Sequence, residues 1–424
     1  MNSIKILYPV IFLYLVSLTT SIAGMEFFST LIIILFFLIF AFQKWIKKTT
    51  LINYSKIGND WAYWALWIST IIGAFTLSFV PSHLQIQVIG ELRWILALFT
   101  LVAVFINFEL PHKKILYTLF IAMSLIAIYG IIQSRTGIDL IRNKTYRADV
   151  YSGIQFWRVR GFFSNTMSYA YSTGLGVCLI YVAIAKQTFH NKNKLLLCSC
   201  SALIFLSFFL TFTRGAWIGI FAAVATMSMM INWRRGMKLI GVFVLLIVLL
   251  SALFAPIRER IYTIYKEPPK AKSVSQRYEL WNANWEMFKD SPILGVGYDL
   301  NSYHTKEYNL RLYGKEGFIG NAHNNFLQVL AGGGLVGFLL WLSICISMFY
   351  YSIKLWLTTR NQNNWAEFIA LGSIGAQIFF HVGGLTQATF FDKEPLHFYI
   401  LIIALMLAEY RQVVIYKKTS AQIA

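Results

Sequence analysis

The feature that most constrains this chain is the recurrence, from one end to the other, of apolar runs long enough to cross a bilayer. A helical span needs roughly 20 apolar residues. About twelve such runs are legible, starting near Ile6, Phe27, Trp61, Trp94, Ile115, Tyr169, Leu195, Gly215, Leu239, Gly334, Trp365 and His397. Charged residues make up 13% of the 424 and hydrophobic ones 57%, whereas a soluble domain is roughly a quarter charged. A soluble globular enzyme, a disordered chain and a disulfide-stapled secreted domain are excluded. So is an outer-membrane barrel, whose strands are short and alternating. The expected fold class is an all-α polytopic membrane protein with about twelve transmembrane helices, residues 1–424 forming one integral-membrane unit. The first run ends in Ser21-Ile22-Ala23, like a signal peptide, but the second run starts almost at once, so the first is read as a retained helix.

The formal net charge is +19. In a soluble protein that excess would point to nucleic acid. In a membrane protein it follows first from the collection of Lys and Arg in cytoplasmic loops, and no nucleic-acid partner is expected. The short basic segments are Lys44 to Lys48, Lys113-Lys114, Lys186 with Lys192 and Lys194, Arg234-Arg235 with Lys238, Arg360, and Arg411 with Lys417-Lys418. They follow the even-numbered spans, which places these loops and both termini in the cytoplasm. The opposite face carries two long segments, 134–168 and 256–322, the second between spans nine and ten. Long loops are exempt from the charge rule. Within the second, Arg277 to Lys289 reads as an amphipathic helix with Leu280, Trp281, Trp285 and Phe288 on its apolar face. Ser291-Pro292 closes it and Gly295-Val296-Gly297 forces a turn. Cys178, Cys198, Cys200 and Cys345 all lie in apolar runs and read as small buried hydrophobes.

Charged residues at membrane depth are functional candidates. Arg214, in Thr213-Arg214-Gly215, lies between two apolar spans with no real loop, on the face opposite the basic segments. It is read either as a functional residue or as a snorkelling anchor. Arg277, in Ser275-Gln276-Arg277, is either an anion-binding fork or a plain surface charge. His323, in Asn321-Ala322-His323-Asn324-Asn325, should sit at a helix N-terminus, where the dipole disfavours the imidazolium. It is a candidate base or a capping histidine. The glycines downstream, with Gly333-x-x-x-Gly337 spacing, suggest close helix packing. Arg158 and Arg160, in Trp157-Arg158-Val159-Arg160-Gly161, are either phosphate or glycan contacts or lipid-facing anchors. Asp392-Lys393-Glu394 has metal-binding spacing but stands alone, with a lysine between its carboxylates, and is set aside. The sequence holds no P-loop, no dinucleotide fingerprint and no zinc-type cluster, so no metal site and no cofactor are expected.

Taken together, these segments resemble the O-antigen ligase and polymerase superfamily of bacterial inner-membrane glycosyltransferases. The resemblance rests on the plan of about twelve spans with a large external loop between spans nine and ten. It is sharpest at Thr213-Arg214-Gly215, at Ser275-x-Arg277 with Leu280-Trp281, and at His323-Asn324 followed by Gly333-Gly334-Leu335-Val336-Gly337. Arg160-Gly161-Phe162-Phe163-Ser164-Asn165 adds a fourth point. One departure is that Asn321 stands where many ligases have the first histidine of His-x-His-Asn.

The resemblance implies a donor glycan on undecaprenyl pyrophosphate, a lipid A–core acceptor and an active site facing the periplasm, in contact with membrane lipids. It implies Arg214, Arg277 and His323 as catalytic, with Arg160, Arg158 and Asn324 binding substrate. A pyrophosphate leaving group develops negative charge as the C1–O bond breaks, and arginines hold such charge with bidentate bonds. The expected outcome is metal-independent transfer with inversion at C1. An O-antigen polymerase or a protein O-oligosaccharyltransferase of the same superfamily is the first alternative. A transporter or flippase, whose sites lie at the membrane midplane, is the second.

Overall fold

A computed structural model describes residues 6–45, 93–108, 111–151, 154–186, 194–253, 258 and 272–415. Its helices are α1 (Leu7–Thr20), α2 (Ile22–Trp45), α3 (Arg93–Asn107), α4 (His112–Thr136), α5 (Thr166–Ala185), α6 (Lys194–Phe209) and α7 (Arg214–Ile231). They continue with α8 (Trp233–Leu253), α9 (Lys272–Asp290), α10 (Asn301–Tyr313), α11 (Asn325–Thr359), α12 (Trp365–Gly383) and α13 (Lys393–Tyr410). Among the described residues, 7 helices are long and apolar enough to cross a membrane, and α1, α3 and α6 are shorter apolar helices. The chain is a multi-pass helical membrane protein. The span expected from Trp61, and the part of the second external segment before Lys272 apart from residue 258, lie outside the described residues.

The centre of the bundle is α5, α12 and α13, each buried over 83% of its most apolar stretch, against 28% for α2. α12 packs on α5 and α7, and α13 on α3 and α5. A medium without water favours pairing polar groups inside the bundle, and one such pairing bridges two helices. Ser373 Oγ donates to Ser352 Oγ at 3.0 Å and Gln377 Nε2 to the same oxygen at 2.7 Å, joining α11 to α12. Among the cysteines, Cys178 and Cys200 are buried as expected, but Cys198 is exposed on the outside of its helix.

The helix ends sort into two groups. At one end, Val159 N–H donates to Leu210 O at 3.1 Å and Asn325 N–H to Gly384 O at 2.7 Å. There too Ser164 N–H donates to Glu394 at 3.1 Å, and Lys393 pairs with Glu26 at 2.9 Å. At the other, Lys186 pairs with Glu367 at 2.5 Å, and His112 stacks on Trp365 at 4.5 Å between ring centroids. The candidate residues therefore share one face of the bundle.

The segment between α4 and α5 is held by short hairpins, β1 (Ile138–Asp139) with β2 (Lys144–Thr145) and β3 (Asp149–Tyr151) with β4 (Ile154–Phe156). Its anchor is Asp139, fully buried. Burial would raise the Asp139 carboxyl, but hydrogen bonds from Tyr146, Arg142 and Tyr129 hold it well below the usual carboxylate range. The same Arg142 donates to Phe162 O at 2.6 Å and Phe163 O at 2.9 Å. These bonds fix the end of the segment against α5, whose first turn is capped by the Asn165 side chain.

The amphipathic helix is longer than expected, and its buried face carries Leu280, Ala283, Asn284 and Met287, while Trp285 is exposed. The tenth span also differs: its helix begins at Asn325 and is interrupted at Gly334, with φ 60° and ψ −167°. Among the described residues nothing lies within 4 Å of a Cβ placed on Gly333 or Gly337. Gly334 instead admits the backbone of Ile293 and Leu294. Val296 N–H donates to Ala331 O at 3.0 Å and Leu335 N–H to Pro292 O at 2.8 Å. The break in α11 thus seats the α9–α10 connection against the start of the helix.

Candidate active site

α11 starts at a crowded corner. Asn324 caps the helix, accepting from Leu327 N–H at 3.1 Å, and its Nδ2 donates to Leu385 O at 3.2 Å. Asn325 donates to Thr389 Oγ1 at 2.8 Å and accepts from Phe390 N–H at 2.9 Å. The first turn of α11 is thereby fastened to the α12–α13 loop. His323, just before the cap, has φ 45°. That left-handed conformation is uncommon for a residue with a side chain, and such positions gather at functional sites. Asn321 Oδ1 accepts from its N–H at 3.1 Å, and Trp281 of α9 donates to Ala322 O at 2.8 Å.

The His323 side chain lies with Nδ1 2.7 Å from Gln387 Oε1. Burial holds the imidazole below the usual histidine range, the bond to Gln387 opposes that shift, and the nearby Arg277 charge adds to it. Arg277, in the first turns of α9, is half-buried and acts electrostatically on both His323 and the Tyr171 hydroxyl. Tyr171, on α5, has its hydroxyl 3.3 Å from Thr386 Oγ1, next in sequence to Gln387.

Arg214 opens α7 and is half-buried. Its neighbour Gly215 presses on the same spot: a Cβ there would lie 2.6 Å from Tyr171 Oη and would overlap Thr386 Oγ1. Only glycine lets the start of α7 approach this closely. The backbone at the start of α7, next to Arg214, the Arg277 charge of α9 and the His323 corner therefore come together around Tyr171, Thr386 and Gln387.

Arg158 and Arg160 are engaged differently. Arg158 Nε donates to Thr211 O at 2.7 Å and its NH2 group to Thr213 Oγ1 at 3.1 Å. It shapes the tight turn that delivers Arg214. Arg160 stacks on the Tyr146 ring at 3.9 Å, and its Nε is buried without a hydrogen-bond partner. Its contacts lie within the 134–168 segment.

Glu394 is buried and Asp392 half-buried in the same face. Ser168 Oγ donates to Asp392 at 2.6 Å and Ser164 N–H to Glu394 at 3.1 Å. Burial, then the neighbouring Glu394 carboxyl, pushes the Asp392 carboxyl well above its usual range, so the pair favours holding a proton. It ties the 134–168 segment to the α12–α13 loop. Among the described residues, no cluster of three or more His, Cys, Asp or Glu suits a metal ion.

Comparison with known proteins adds to this geometry. Residues 199–342 match the family model described as O-antigen ligase. A 142-residue stretch is 28% identical to an O-antigen ligase of Pseudomonas aeruginosa, covering 33% of this chain and 31% of the relative. Both matches support the O-antigen ligase superfamily. The family match includes Arg214, Arg277, His323 and Asn324, while Arg158, Arg160 and Gln387 fall outside it.

Within this site, Tyr171, Thr386 and Gln387 carry no signature in the sequence. Tyr171 sits in an apolar run, and Gln387 in an unremarkable stretch, Gly383-Gly384-Leu385-Thr386-Gln387. The packing of the α12–α13 loop against α5 gives Tyr171 its partner, and its packing against the start of α11 gives Gln387 its own.

Proposed function

We propose that the protein is an O-antigen ligase. It transfers a glycan from undecaprenyl pyrophosphate to a hydroxyl of lipid A–core at the periplasmic face of a bacterial inner membrane. The observation that carries this reading is a half-buried His323, its Nδ1 2.7 Å from Gln387 Oε1, at the corner bordered by the start of α7, where burial and then the Arg277 charge lower its pKa. The family match over 199–342 supports the same reading.

In this mechanism His323 accepts the proton of the acceptor hydroxyl. The acceptor oxygen forms a bond to C1 of the donor sugar from the face opposite the pyrophosphate. The C1–O bond breaks, and its electron pair leaves with the pyrophosphate. Arg214 and Arg277 grip the phosphate oxygens, where charge grows as the bond breaks and where stabilisation lowers the barrier. Arg160 is a further contact for the polar donor, Arg158 holds the turn before Arg214, and Asn324 holds the backbone after His323. General-base assistance contributes about 10²–10⁴-fold. Because the arginines carry the leaving-group charge, the step calls for no metal, and C1 is inverted.

The test is transfer by purified protein from undecaprenyl-pyrophosphate glycan to lipid A–core, with the anomeric configuration of the product determined by NMR. An inverted linkage on lipid A–core supports the proposal. Lengthening of the lipid-linked glycan with lipid A–core untouched would replace the ligase with a polymerase.

A further inference from the structure

The corner around His323 contains a side chain that no part of the proposed chemistry uses directly. Gln387 is 5% exposed and comes from the α12–α13 loop, across the corner from α11. Its loop is fixed on both sides. Thr386 meets Tyr171, and Thr389 meets Asn325. The Gln387 carbonyl also accepts from Thr389 N–H at 2.9 Å. The amide oxygen is thus presented to the imidazole by a loop with little freedom to move. A neutral imidazole carries one proton on one of two nitrogens, and the hydrogen bond made by one nitrogen decides which atom remains basic.

We infer that Gln387 is the positioning residue for His323: its Oε1 accepts the Nδ1–H, so the lone pair stays on Nε2, the atom that takes the acceptor's proton. This rests on His323 being the general base of the proposed transfer. Gln387 does not touch substrate. It selects the tautomer and fixes the ring plane, as outer partners of functional histidines do elsewhere. Around the ring, α9 contributes the Arg277 charge and the α12–α13 loop contributes the neutral Gln387. The Asn321 and Asn324 amides flank it on the backbone. Asp392, on the same loop, is bonded to Ser168.

Two variants in full-length protein test the assignment through the pH profile of transfer, with His323→Ala alongside. Gln387→Met keeps the length but removes the acceptor. It should lower kcat by about 10–100-fold across the pH range, the loss typical of an outer-shell partner, with KM unchanged. Gln387→Glu keeps an acceptor and adds a charge that favours the imidazolium. It should reach close to the wild-type kcat at high pH, with its acid limb moved up by a unit or more. A merely structural role for Gln387 would not give this pairing of a moved limb with a kcat restored in Gln387→Glu but lost in Gln387→Met. A Gln387→Glu limb in the wild-type place, or a plateau as low as that of Gln387→Met, overturns the inference while leaving the base assignment intact. Transfer that survives His323→Ala overturns both.

Discussion

His323 Nδ1 and Gln387 Oε1 lie 2.7 Å apart, joining residues 64 positions distant in the chain. The bond crosses the corner where α11 begins, and the Arg277 charge bears on the same imidazole. A half-buried base with a lowered pKa beside a fixed positive charge suits a reaction in which an alcohol loses a proton while a phosphate leaving group gains charge.

Arg214→Lys and Arg277→Lys should each lower kcat by about 10²–10³-fold, comparable to the loss of one preorganised donor at a developing charge. A lysine keeps the charge but has no planar fork. Steady-state transfer rates at saturating donor measure this. Near-normal rates in both variants would remove the bidentate clamp from the mechanism.

The pH profile follows from the sign of the His323 shift. Protonation removes the base, and burial together with Arg277 lowers the pKa, so transfer should stay flat through neutrality and fall only below the ordinary histidine range of about 6.5. In Arg277→Gln the repulsion is gone, so the acid limb should move to higher pH although the overall rate is lower. The position of the limb, not its height, is the quantity to read. Movement to lower pH would contradict the electrostatic assignment.

Gly334→Ala should damage the fold near the site. At φ 60° and ψ −167° the backbone is in a region essentially reserved for glycine, at about 1–3 kcal/mol for another residue. A Cβ there would also lie 2.5 Å from Leu294 N. Thermal unfolding in detergent should show a clear loss of stability. Gly333→Ala, with open space beside it, should change little.

Much of the fold was legible because a bilayer imposes length and apolarity on each span, and these can be counted directly. The start of α11 was misplaced at Gly334 because a glycine-rich apolar stretch looks alike whether it begins a helix or breaks one. The break is decided by the Ile293–Leu294 backbone entering from a distant segment. Arg214, Arg277 and His323 stood out as polar residues at apolar boundaries. Gln387 did not, because a neutral amide in a short loop has no signature until the loop folds onto its histidine. Arg158 was legible as a charge but not as the residue that holds the Thr211–Thr213 turn, since that depends on a contact between segments more than 50 residues apart.

Metal removal separates this chemistry from an alternative built on Asp392 and Glu394. EDTA should leave transfer unchanged. Asp392→Asn, a neutral stand-in for a carboxyl that favours its proton, should stay within a few-fold of wild type. A strong EDTA block relieved by Mg²⁺ or Mn²⁺ would move the chemistry to that carboxyl pair.

The most direct measurement of the central claim is transfer by purified wild-type and His323→Ala protein, side by side, to lipid A–core from undecaprenyl-pyrophosphate glycan. The account predicts a glycosylated lipid A–core product with the wild type. With His323→Ala it predicts a drop of about 10²–10⁴-fold, the range expected when a general base is lost, in protein that remains folded and still binds the donor. Product formed equally well without the imidazole would contradict the account.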